Sequence, residues 1–231
     1  MMRQKNLRAT FRVQKDYDQN VDNYDKARYG TPGGRYVDQK EQEFIASIIK
    51  GSTVLEVGTA TGRFAVSLTR KGTEYTGVDL SRKMLRTTFE RANHSASVVQ
   101  MDGCELGFRS CFNYVLCIRT FHFLPKPVEA LRGMYAALQP SGKCIVTFET
   151  DNFLRRFMLF LGIGASEQYY YKISDVEKMF LKSGFKVVQS GSVMRIPVTA
   201  YRRCPRLFVP LLKRLEKLWC WPMHDYVLGS K

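Results

Sequence analysis

The chain has 231 residues, of which 45% are hydrophobic and 25% charged. This length suits one α/β domain with added elements, and the composition excludes a disordered chain, a collagen-like repeat and a disulfide-rich miniprotein. Lysine and arginine number 36 against 21 acidic residues, which gives a net charge of +15. A charge of this size favours nucleic acids, anionic membranes or acidic substrates as partners, but it carries no information about the fold.

The positive charge is concentrated at the two ends of the chain. Residues 151–231 carry 14 basic and 6 acidic groups, and therefore +8 of the +15. The first 15 residues contain no acid, and their basic residues are Arg3, Lys5, Arg8, Arg12 and Lys15. Residues 1–36 are interpreted as a basic N-terminal arm and lid. Its first 15 residues are interpreted either as a disordered, solvated leader or as an arm attracted to phosphate or lipid.

The sequence predicts neither secretion nor a membrane span nor a metal centre. The N-terminus lacks an apolar signal core, and the longest uncharged apolar stretch, 157–165, is shorter than the roughly 18 to 20 residues of a spanning helix. The six cysteines include no C-x-x-C pair, and no histidine stands at zinc-finger spacing from them. We expect a cytoplasmic protein with reduced thiols and no bound metal.

From residue 37 onward, apolar runs typical of buried strands alternate with helical patterns. The predicted strands are 53–57, 75–78, 96–100, 114–118, 143–148, 186–196 and 226–229. The predicted helices are 37–50, 63–71, 82–92, 128–138, 152–161, 174–183 and 209–219. Alternation of this kind indicates an α/β fold with a mostly parallel seven-stranded sheet, helices on both faces and an antiparallel C-terminal edge strand.

The most informative segment runs Val54-Leu-Glu-Val-Gly-Thr-Ala-Thr-Gly62, a strand that enters a glycine-rich turn and then a helix. Gly58 allows the tight bend, and Gly62 lets the helix pack closely while its N-terminal amides face a ligand. Two acids follow the next strands, Asp79 in Gly77-Val-Asp-Leu-Ser81 and Asp102 in Val99-Gln-Met-Asp-Gly103. Each acid alone is more often a helix cap or a solvated loop residue. Three acids on successive strand ends predict a nucleoside site.

These segments resemble the motifs of class I S-adenosylmethionine-dependent methyltransferases. The resemblance rests on Glu56-x-Gly58-x-Ala60-x-Gly62, Asp79, Asp102 and the turn Leu138-Gln-Pro-Ser-Gly-Lys143, and covers roughly residues 37–190. It is greatest to the small-molecule, quinone and lipid branch and implies a Rossmann-like fold. Ala60 and Ser141 depart from the pattern, since each replaces a glycine. Ala60 also disfavours a dinucleotide site, which requires G-x-G-x-x-G spacing.

The resemblance implies S-adenosylmethionine as cofactor and a role for each motif residue. The turn at Gly58 would hold the methionine end, which Glu56 orients, while Asp79 would accept from the ribose hydroxyls and Asp102 from the adenine amino group. The predicted cofactor-binding residues are Glu56, Gly58, Thr59, Ala60, Gly62, Asp79, Leu80, Asp102, Gly103, Ile118 and Tyr29. Tyr24 and Tyr29 are candidates for a lid whose rings face the sulfonium, although ordinary surface packing would also explain them.

Methyl transfer from a sulfonium is an in-line displacement that depends mainly on alignment and water exclusion. A base is needed only if the acceptor loses a proton, and His122 is the candidate, although it would also fit as a packing residue. Arg119 would hold an anionic acceptor or pair with a carboxylate.

A basic helical insertion is predicted at about 200–221, within a methyltransferase domain of residues 37–231. Its basic residues are Arg202, Arg203, Arg206, Lys213, Arg214 and Lys217, opposed only by Glu216. Its apolar stripe consists of Leu207, Phe208, Leu211, Leu212, Leu215, Leu218 and Trp219. The stripe either docks on the domain or a partner subunit, or lies on an anionic membrane. In the second case the apolar segment 153–160 would line an acceptor pocket or touch the bilayer.

The sequence therefore predicts methyl transfer to a small-molecule or lipid-like acceptor by a cytoplasmic protein, with peripheral anionic-membrane contact through 202–219 as one further expectation. The first alternative is an RNA or protein methyltransferase recruited by charge. RNA is less favoured because aromatic residues do not alternate with the basic ones in the insertion. The second alternative is a catalytically silent adaptor that binds the cofactor.

Overall fold

A computed structural model describes residues 2–50, 52–162, 168–219 and 221–231, with side chains from residue 14 onward. The strands are β1 Thr53–Val57, β2 Glu74–Asp79, β3 Ser97–Gln100, β4 Phe112–Cys117, β5 Leu138–Glu149, β6 Lys186–Met194 and β7 His224–Ser230. The helices are α1 Met2–Tyr29, α2 Pro32–Ile48, α3 Arg63–Thr69, α4 Arg82–Arg91, α5 Pro127–Ala137, α6 Phe153–Phe160, α7 Ile173–Lys182, α8 Val198–Arg203 and α9 Val209–Leu218.

The seven strands form one mixed sheet in the order β3-β2-β1-β4-β5-β7-β6. Strands β1 to β5 pair in parallel, whereas β7 is antiparallel to both β5 and β6. This confirms the predicted Rossmann-like α/β class. The antiparallel C-terminal strand lies one place in from the margin, because β7 fills the gap between β5 and β6 and leaves β6 outermost.

The hydrophobic core lies on both faces of the sheet, because successive strand residues point to opposite sides. Leu55 and Val115 belong to the cluster that packs against α5 and α7, and Val54 and Leu116 belong to the cluster that packs against α2 and α3. All four side chains have 0% exposure. A fully buried side chain of this size contributes about 1.5–3 kcal/mol of transfer free energy.

The N-terminal arm is a helix, which corrects the expectation of a disordered leader. Asp18 accepts a hydrogen bond from the Ser81 hydroxyl, and Asp25 accepts from the Thr61 hydroxyl at 2.7 Å and pairs with Arg91. These contacts hold α1 against the start of α4 and the loop before α3. The side chains of Arg3, Lys5, Arg8 and Arg12 lie outside the described ones, so attraction of the arm to phosphate or lipid stays a prediction.

The C-terminal insertion joins β6 to β7 and docks on the domain through only part of its apolar stripe, because Leu212 and Trp219 pack against a core cluster while the other stripe residues are exposed. Leu207 is 87% exposed and Leu218 is 82% exposed, whereas Glu216 is 4% exposed. The helix is anchored by this acid because Tyr36, Tyr201 and the Arg195 amide all donate to its carboxylate. Docking through the stripe on the domain is therefore wrong for these leucines. No helix in the described part of the chain is long and apolar enough to cross a membrane.

Candidate active site

A cavity of about 520 Å³ lies at the carboxyl edge of the sheet, where β1, β2, β3 and β4 end and α1 covers them. Parallel strands bring the turns that follow them to one edge, which is why residues far apart in sequence meet here. Eleven of the predicted site residues line the cavity, namely Tyr29, Glu56, Gly58, Thr59, Ala60, Asp79, Leu80, Asp102, Gly103, Ile118 and Arg119. Gly62 and His122 do not line it.

The glycine-rich turn has the backbone conformation that the sequence predicts. Gly58 has a φ of 79°, and its amide donates to the Val78 carbonyl at 2.8 Å, which fixes the turn on β2. A Cβ at Gly58 would lie 2.2 Å from the Thr120 hydroxyl oxygen. Gly62 has a φ of 73°, and a Cβ there would lie 2.6 Å from the Thr88 methyl carbon, so Gly62 serves the packing of α4. Both positions therefore require glycine.

Ala60 adopts the left-handed conformation with a φ of 47°. The left-handed region is unfavourable by roughly 1–2 kcal/mol for an L-residue with a Cβ. Alanine in place of glycine therefore adds backbone strain at this position without changing the conformation of the turn. The strained backbone directs the Ala60 amide at the Asp79 carboxylate, to which it donates at 3.0 Å. The turn and the second acidic position are thus connected directly.

Asp79 and Asp102 are both held by backbone amides, which fixes where their remaining oxygen lone pairs point. Asp79 accepts from the Ser81 amide at 2.9 Å, and Asp102 accepts from the Cys104 amide at 2.8 Å. Burial raises the pKa of Asp79 above its usual range. Each carboxylate keeps acceptor capacity for a further donor, because a carboxylate has about four lone-pair sites.

Glu56 is the most enclosed of the three acids, with 3% exposure. The Tyr75 hydroxyl donates to its carboxylate and lies 2.5 Å from the Thr59 hydroxyl. Burial raises the pKa of Glu56 to about 7. Tyr75 was not predicted as a site residue, because in the sequence it is simply an aromatic residue inside a short strand.

Arg119 lines the cavity and belongs to a buried ion cluster that was not predicted from the sequence. Its Nε donates to one carboxylate oxygen of Glu41 at 2.5 Å, and Arg63 donates to the other at 2.5 Å. Burial alone would raise the pKa of Glu41, but Arg119 and Arg63 outweigh it and lower the pKa to about 2. Of the two roles predicted for Arg119, the structure shows the pairing with a carboxylate. Its Nη2 atom is buried and has no hydrogen-bond partner among the described residues.

Helix α1 supplies aromatic side chains to the cavity wall. Tyr17, Tyr24 and Tyr29 line the cavity, and Arg63 lies over the Tyr29 ring at 5.1 Å from its centroid. Burial raises the pKa of Tyr24, so its phenol stays neutral. The two tyrosines that the sequence analysis named are thus in the position that a lid requires, while opening and closing of α1 stays a prediction.

His122 is the candidate that the structure does not bring into the site. It is 3% exposed in a short 3-10 helix, its ring is tilted against the Phe123 ring with 4.4 Å between centroids, and it does not line the cavity. Burial lowers the pKa of His122 to about 3, with Arg119 and Arg28 acting in the same direction. The geometry gives no support to His122 as a general base, because such a base needs contact with the acceptor and a pKa near the working pH.

The rest of the cavity wall includes residues from the loops after β4 and α6, and these residues are Phe123, Leu124, Pro125, Gln168 and Tyr169. The Tyr169 amide donates to the His122 carbonyl at 2.9 Å, which fixes the second loop against the first. Among the described residues, no group of three or more His, Cys, Asp and Glu side chains is arranged to hold a metal ion. The cavity wall therefore combines carboxylates and backbone amides with an aromatic and aliphatic part.

Comparison with known proteins identifies a methyltransferase domain within the chain. A family model described as a methyltransferase domain matches residues 55–146, the part of the chain that holds Glu56, Asp79 and Asp102. The ubiquinone biosynthesis O-methyltransferase of Psychrobacter cryohalolentis is 24% identical over 147 residues, which are 61% of this chain and 56% of that protein. The chain thus spans little more than half the length of that relative.

Solved structures of similar fold cover nearly the whole chain. The magnesium protoporphyrin IX methyltransferase of Synechocystis, with bound S-adenosylhomocysteine, has a TM-score of 0.68 at 14% identity and covers 95% of this chain and 98% of that one. The phosphoethanolamine N-methyltransferase 2 of Haemonchus contortus, in complex with S-adenosylmethionine, has a TM-score of 0.64 at 18% identity and covers 93% of this chain and 57% of that one. At these identities the likeness concerns the fold.

The strand order, the glycine-rich turn between β1 and α3 and the acids at the ends of β1, β2 and β3 occur together in one chain. The family model covers the same turn and acids, and the similar proteins include ubiquinone biosynthesis O-methyltransferases. The chain is thus similar to S-adenosylmethionine-dependent methyltransferases, and a methyltransferase domain matches its residues 55–146.

Proposed function

We propose that the protein binds S-adenosylmethionine in the cavity and transfers its methyl group to a small-molecule or lipid-like acceptor by in-line displacement. The observation that carries this proposal is the meeting of three carboxylates, those of Glu56, Asp79 and Asp102, with the glycine-rich turn around one cavity of about 520 Å³. These carboxylates fit a nucleoside that carries a cationic amino-acid group, since carboxylates accept hydrogen bonds from hydroxyl and amino donors.

The residues present fit the cofactor at each of its parts. Asp79 would accept from the ribose hydroxyls and Asp102 from the adenine amino group, with Leu80 and Gly103 beside the ring. The turn at Gly58 would hold the methionine end. The unpartnered Nη2 of Arg119 fits a carboxylate at that end, because a buried guanidinium nitrogen without an acceptor is costly. When bound, the cofactor supplies an activated methyl group on a sulfonium.

The chain's own contribution to the transfer is alignment and exclusion of water. Tyr17, Tyr24 and Tyr29 of α1 cover the cavity, and their ring faces favour a nearby cation. Ion pairs with Glu41 hold Arg119 and Arg63 beneath them. His122 does not line the cavity, so the proposal favours an acceptor that is already nucleophilic at neutral pH.

The acceptor proposal rests on the aromatic and aliphatic part of the cavity wall. Phe123, Tyr169 and Tyr17 line it together with Leu124 and Pro125, which suits an apolar or lipid-like molecule better than a nucleic-acid strand. The names of the relatives agree in class, since they include ubiquinone biosynthesis O-methyltransferase and phosphoethanolamine N-methyltransferase. The proposal retains peripheral contact with an anionic membrane through residues 202–219.

Calorimetry with S-adenosylmethionine tests the cofactor site. Asp79→Ala removes the acceptor for the ribose, and we expect a loss of about 1.5–3 kcal/mol, or roughly tenfold to a hundredfold in Kd. Asp175→Ala on the surface of α7 is the matched control and should leave the affinity unchanged. If Asp79→Ala binds as tightly as the wild type, the site assignment fails. NAD in the same experiment should give no heat of binding.

Turnover separates the proposal from its alternatives. A cell extract is incubated with the protein and labelled S-adenosylmethionine and then divided into lipid, small-molecule, RNA and protein fractions. Label in the lipid or small-molecule fraction supports the proposal, whereas label in RNA or protein supports a methyltransferase recruited by charge. Cofactor binding without label in any fraction supports a catalytically silent adaptor.

A further inference from the structure

The insertion between β6 and β7 turns its apolar stripe towards solvent. Leu207 and Leu218 are 87% and 82% exposed, and Phe208, Leu211 and Leu215 are 55%, 51% and 39% exposed. This orientation is enforced from the other side of α9, where Glu216 accepts from Tyr201 at 2.9 Å and pairs with Lys40 at 2.9 Å. Water therefore faces a continuous stripe of large apolar side chains, which is uncommon on a monomeric protein surface.

A second exposed apolar stripe lies on α6. Phe153 is 74% exposed and Phe160 85%, and Phe157 and Leu161 are 49% and 54% exposed. Their spacing places them along one side of the helix. The helix is fastened to the segment that follows α9, because Asn152 donates to the Pro222 carbonyl and Arg155 donates to the Met223 carbonyl. Trp221, 45% exposed, stands in that segment, beside the attachment of α6.

Both stripes belong to the edge of the sheet at which the cavity opens. His224, the first residue of β7, pairs with Glu149 at the end of β5 and with Met194 at the end of β6. The segments that leave β5 and β6 and enter β7 therefore all lie at the carboxyl edge. Helix α6 follows β5, and α8 and α9 lie between β6 and β7. Tyr169, which lines the cavity and is 49% exposed, belongs to the loop after α6.

The charge around the stripes identifies the partner. Residues 198–219 contain six basic residues and one acid, and that acid, Glu216, is buried. The exposed basic residues are Arg203, Arg206, Lys213, Arg214 and Lys217. A second copy of this chain would bring the same positive surface to the contact, which like-charge repulsion opposes. An anionic lipid surface offers both an apolar phase for the leucines and negative headgroups for the arginines.

We propose that the exposed side chains of α6, residues 206–218 and Trp221 form one surface that docks on an anionic lipid bilayer. When this surface is docked, the carboxyl edge of the sheet lies at the lipid interface. A lipid-like acceptor then reaches the aromatic and aliphatic part of the cavity wall from the bilayer. The delivery of an acceptor rests on the proposed function, whereas docking itself requires neither cofactor nor turnover.

Flotation with vesicles tests the docking surface. Phosphatidylcholine vesicles are compared with vesicles in which about one third of the lipid is phosphatidylglycerol. We expect the full chain to float with the anionic vesicles, to remain largely unbound with phosphatidylcholine and to be released by salt. Three double variants, Leu211→Gln with Leu215→Gln, Arg206→Gln with Arg214→Gln and Phe153→Gln with Phe160→Gln, should each weaken partitioning by about tenfold.

Leu181→Gln is the matched control. Leu181 is a 60% exposed leucine near the end of α7, shortly before β6 begins at the opposite edge of the sheet, and its replacement should leave flotation unchanged. Unfolding temperature and calorimetry with S-adenosylmethionine on the same preparations verify that each variant is folded. A wild-type protein that floats but binds no cofactor would contradict the proposed function and leave the docking surface intact.

Three results would overturn the docking surface. The first is a folded, cofactor-binding protein that does not float with anionic vesicles. The second is flotation that all three double variants retain. The third is a dimer, detected by light scattering, that the Leu211→Gln, Leu215→Gln variant converts to a monomer, because the stripe would then cover a second copy of the chain.

Discussion

Gly58 shows at a single residue how backbone and packing demands coincide. Its φ of 79° lies in the region that glycine enters without strain, and the Thr120 side chain occupies the space that any Cβ would need. Gly72 has nearly the same φ, 78°, but nothing lies within 4 Å of a Cβ built on it. The two glycines therefore separate conformational strain from steric conflict.

Alanine substitution at these two positions measures the difference. Gly72→Ala should cost about 1 kcal/mol in free energy of unfolding, because it pays only for the left-handed backbone. Gly58→Ala should cost about 2 kcal/mol more and also weaken binding of S-adenosylmethionine, since Thr120 has to move. Urea denaturation and calorimetry give the two quantities. Equal losses of stability would contradict the steric role of Thr120.

We predict that Glu56 makes cofactor affinity depend on pH. Burial raises its pKa to about 7, so the carboxylate gains a proton as the pH falls through neutrality. A cationic cofactor prefers the ionised form, and we expect affinity to rise by about tenfold between about pH 6 and about pH 8. Glu56→Gln should bind more weakly at the higher pH and lose most of this dependence. A wild-type affinity that stays constant over this range would show that Glu56 does not titrate in the binding step.

At the scale of elements, α9 is held by its polar side. Glu216 accepts from two tyrosines and one amide and pairs with Lys40, which keeps the pKa of its carboxyl below its usual range even though burial acts in the opposite direction. The helix can expose leucines because this buried acid, together with Val209, Leu212 and Trp219 packed against the core, fixes its orientation.

Replacing Glu216 tests this anchor. Glu216→Leu leaves the hydroxyl of the fully buried Tyr201 without its acceptor, and we expect a loss of about 1–3 kcal/mol in free energy of unfolding. Glu43→Leu on the exposed side of α2 should change stability by no more than about 0.5 kcal/mol. Proteolysis within residues 198–219 should accelerate in Glu216→Leu only. A stable, protease-resistant Glu216→Leu would mean that other contacts orient the helix.

At the scale of the whole molecule, buried ionisable groups determine the response to acid. His122 has a pKa of about 3 in the folded protein, below its ordinary value, so the unfolded chain takes up its proton first and stability falls as the pH drops from about 6.5 towards 3. Glu41, with a pKa of about 2, adds to this loss below about pH 4.5. Glu56 acts in the opposite direction between about pH 7 and pH 4.5, because folding raises its pKa.

The free energy of unfolding should therefore fall most steeply below about pH 4.5, where Glu56 no longer offsets the loss and Glu41 adds to it. Urea denaturation across this range provides the measurement. His122→Phe removes one group that resists protonation, so its stability should fall less between about pH 6 and pH 3 than that of the wild type. A His122→Phe curve parallel to the wild-type curve would show that His122 titrates normally in the folded protein.

Local pattern alone determined the sheet, its flanking helices and the acids at its edge. The strand that contains Glu56 and the strands before Asp79 and Asp102 are short apolar runs, and parallel strands bring their carboxyl ends together whatever the distant sequence is. The glycine-rich turn was readable for a related reason, because the φ at Gly58 is a property of the residue type.

Tertiary structure decided which groups are buried and what they contact. Glu41 reads as one polar position on a helix, and only the packing of α2 beneath the cavity brings it to Arg119 and Arg63. His122 was the natural base from its position after β4, until burial removed it from the cavity wall. The leucines of α9 define an apolar stripe in sequence, but Glu216 and its partners on α2 and α8 decide that this stripe faces outward. Sequence periodicity shows which side chains share a face, whereas desolvation and ion pairing depend on the elements that come to cover that face.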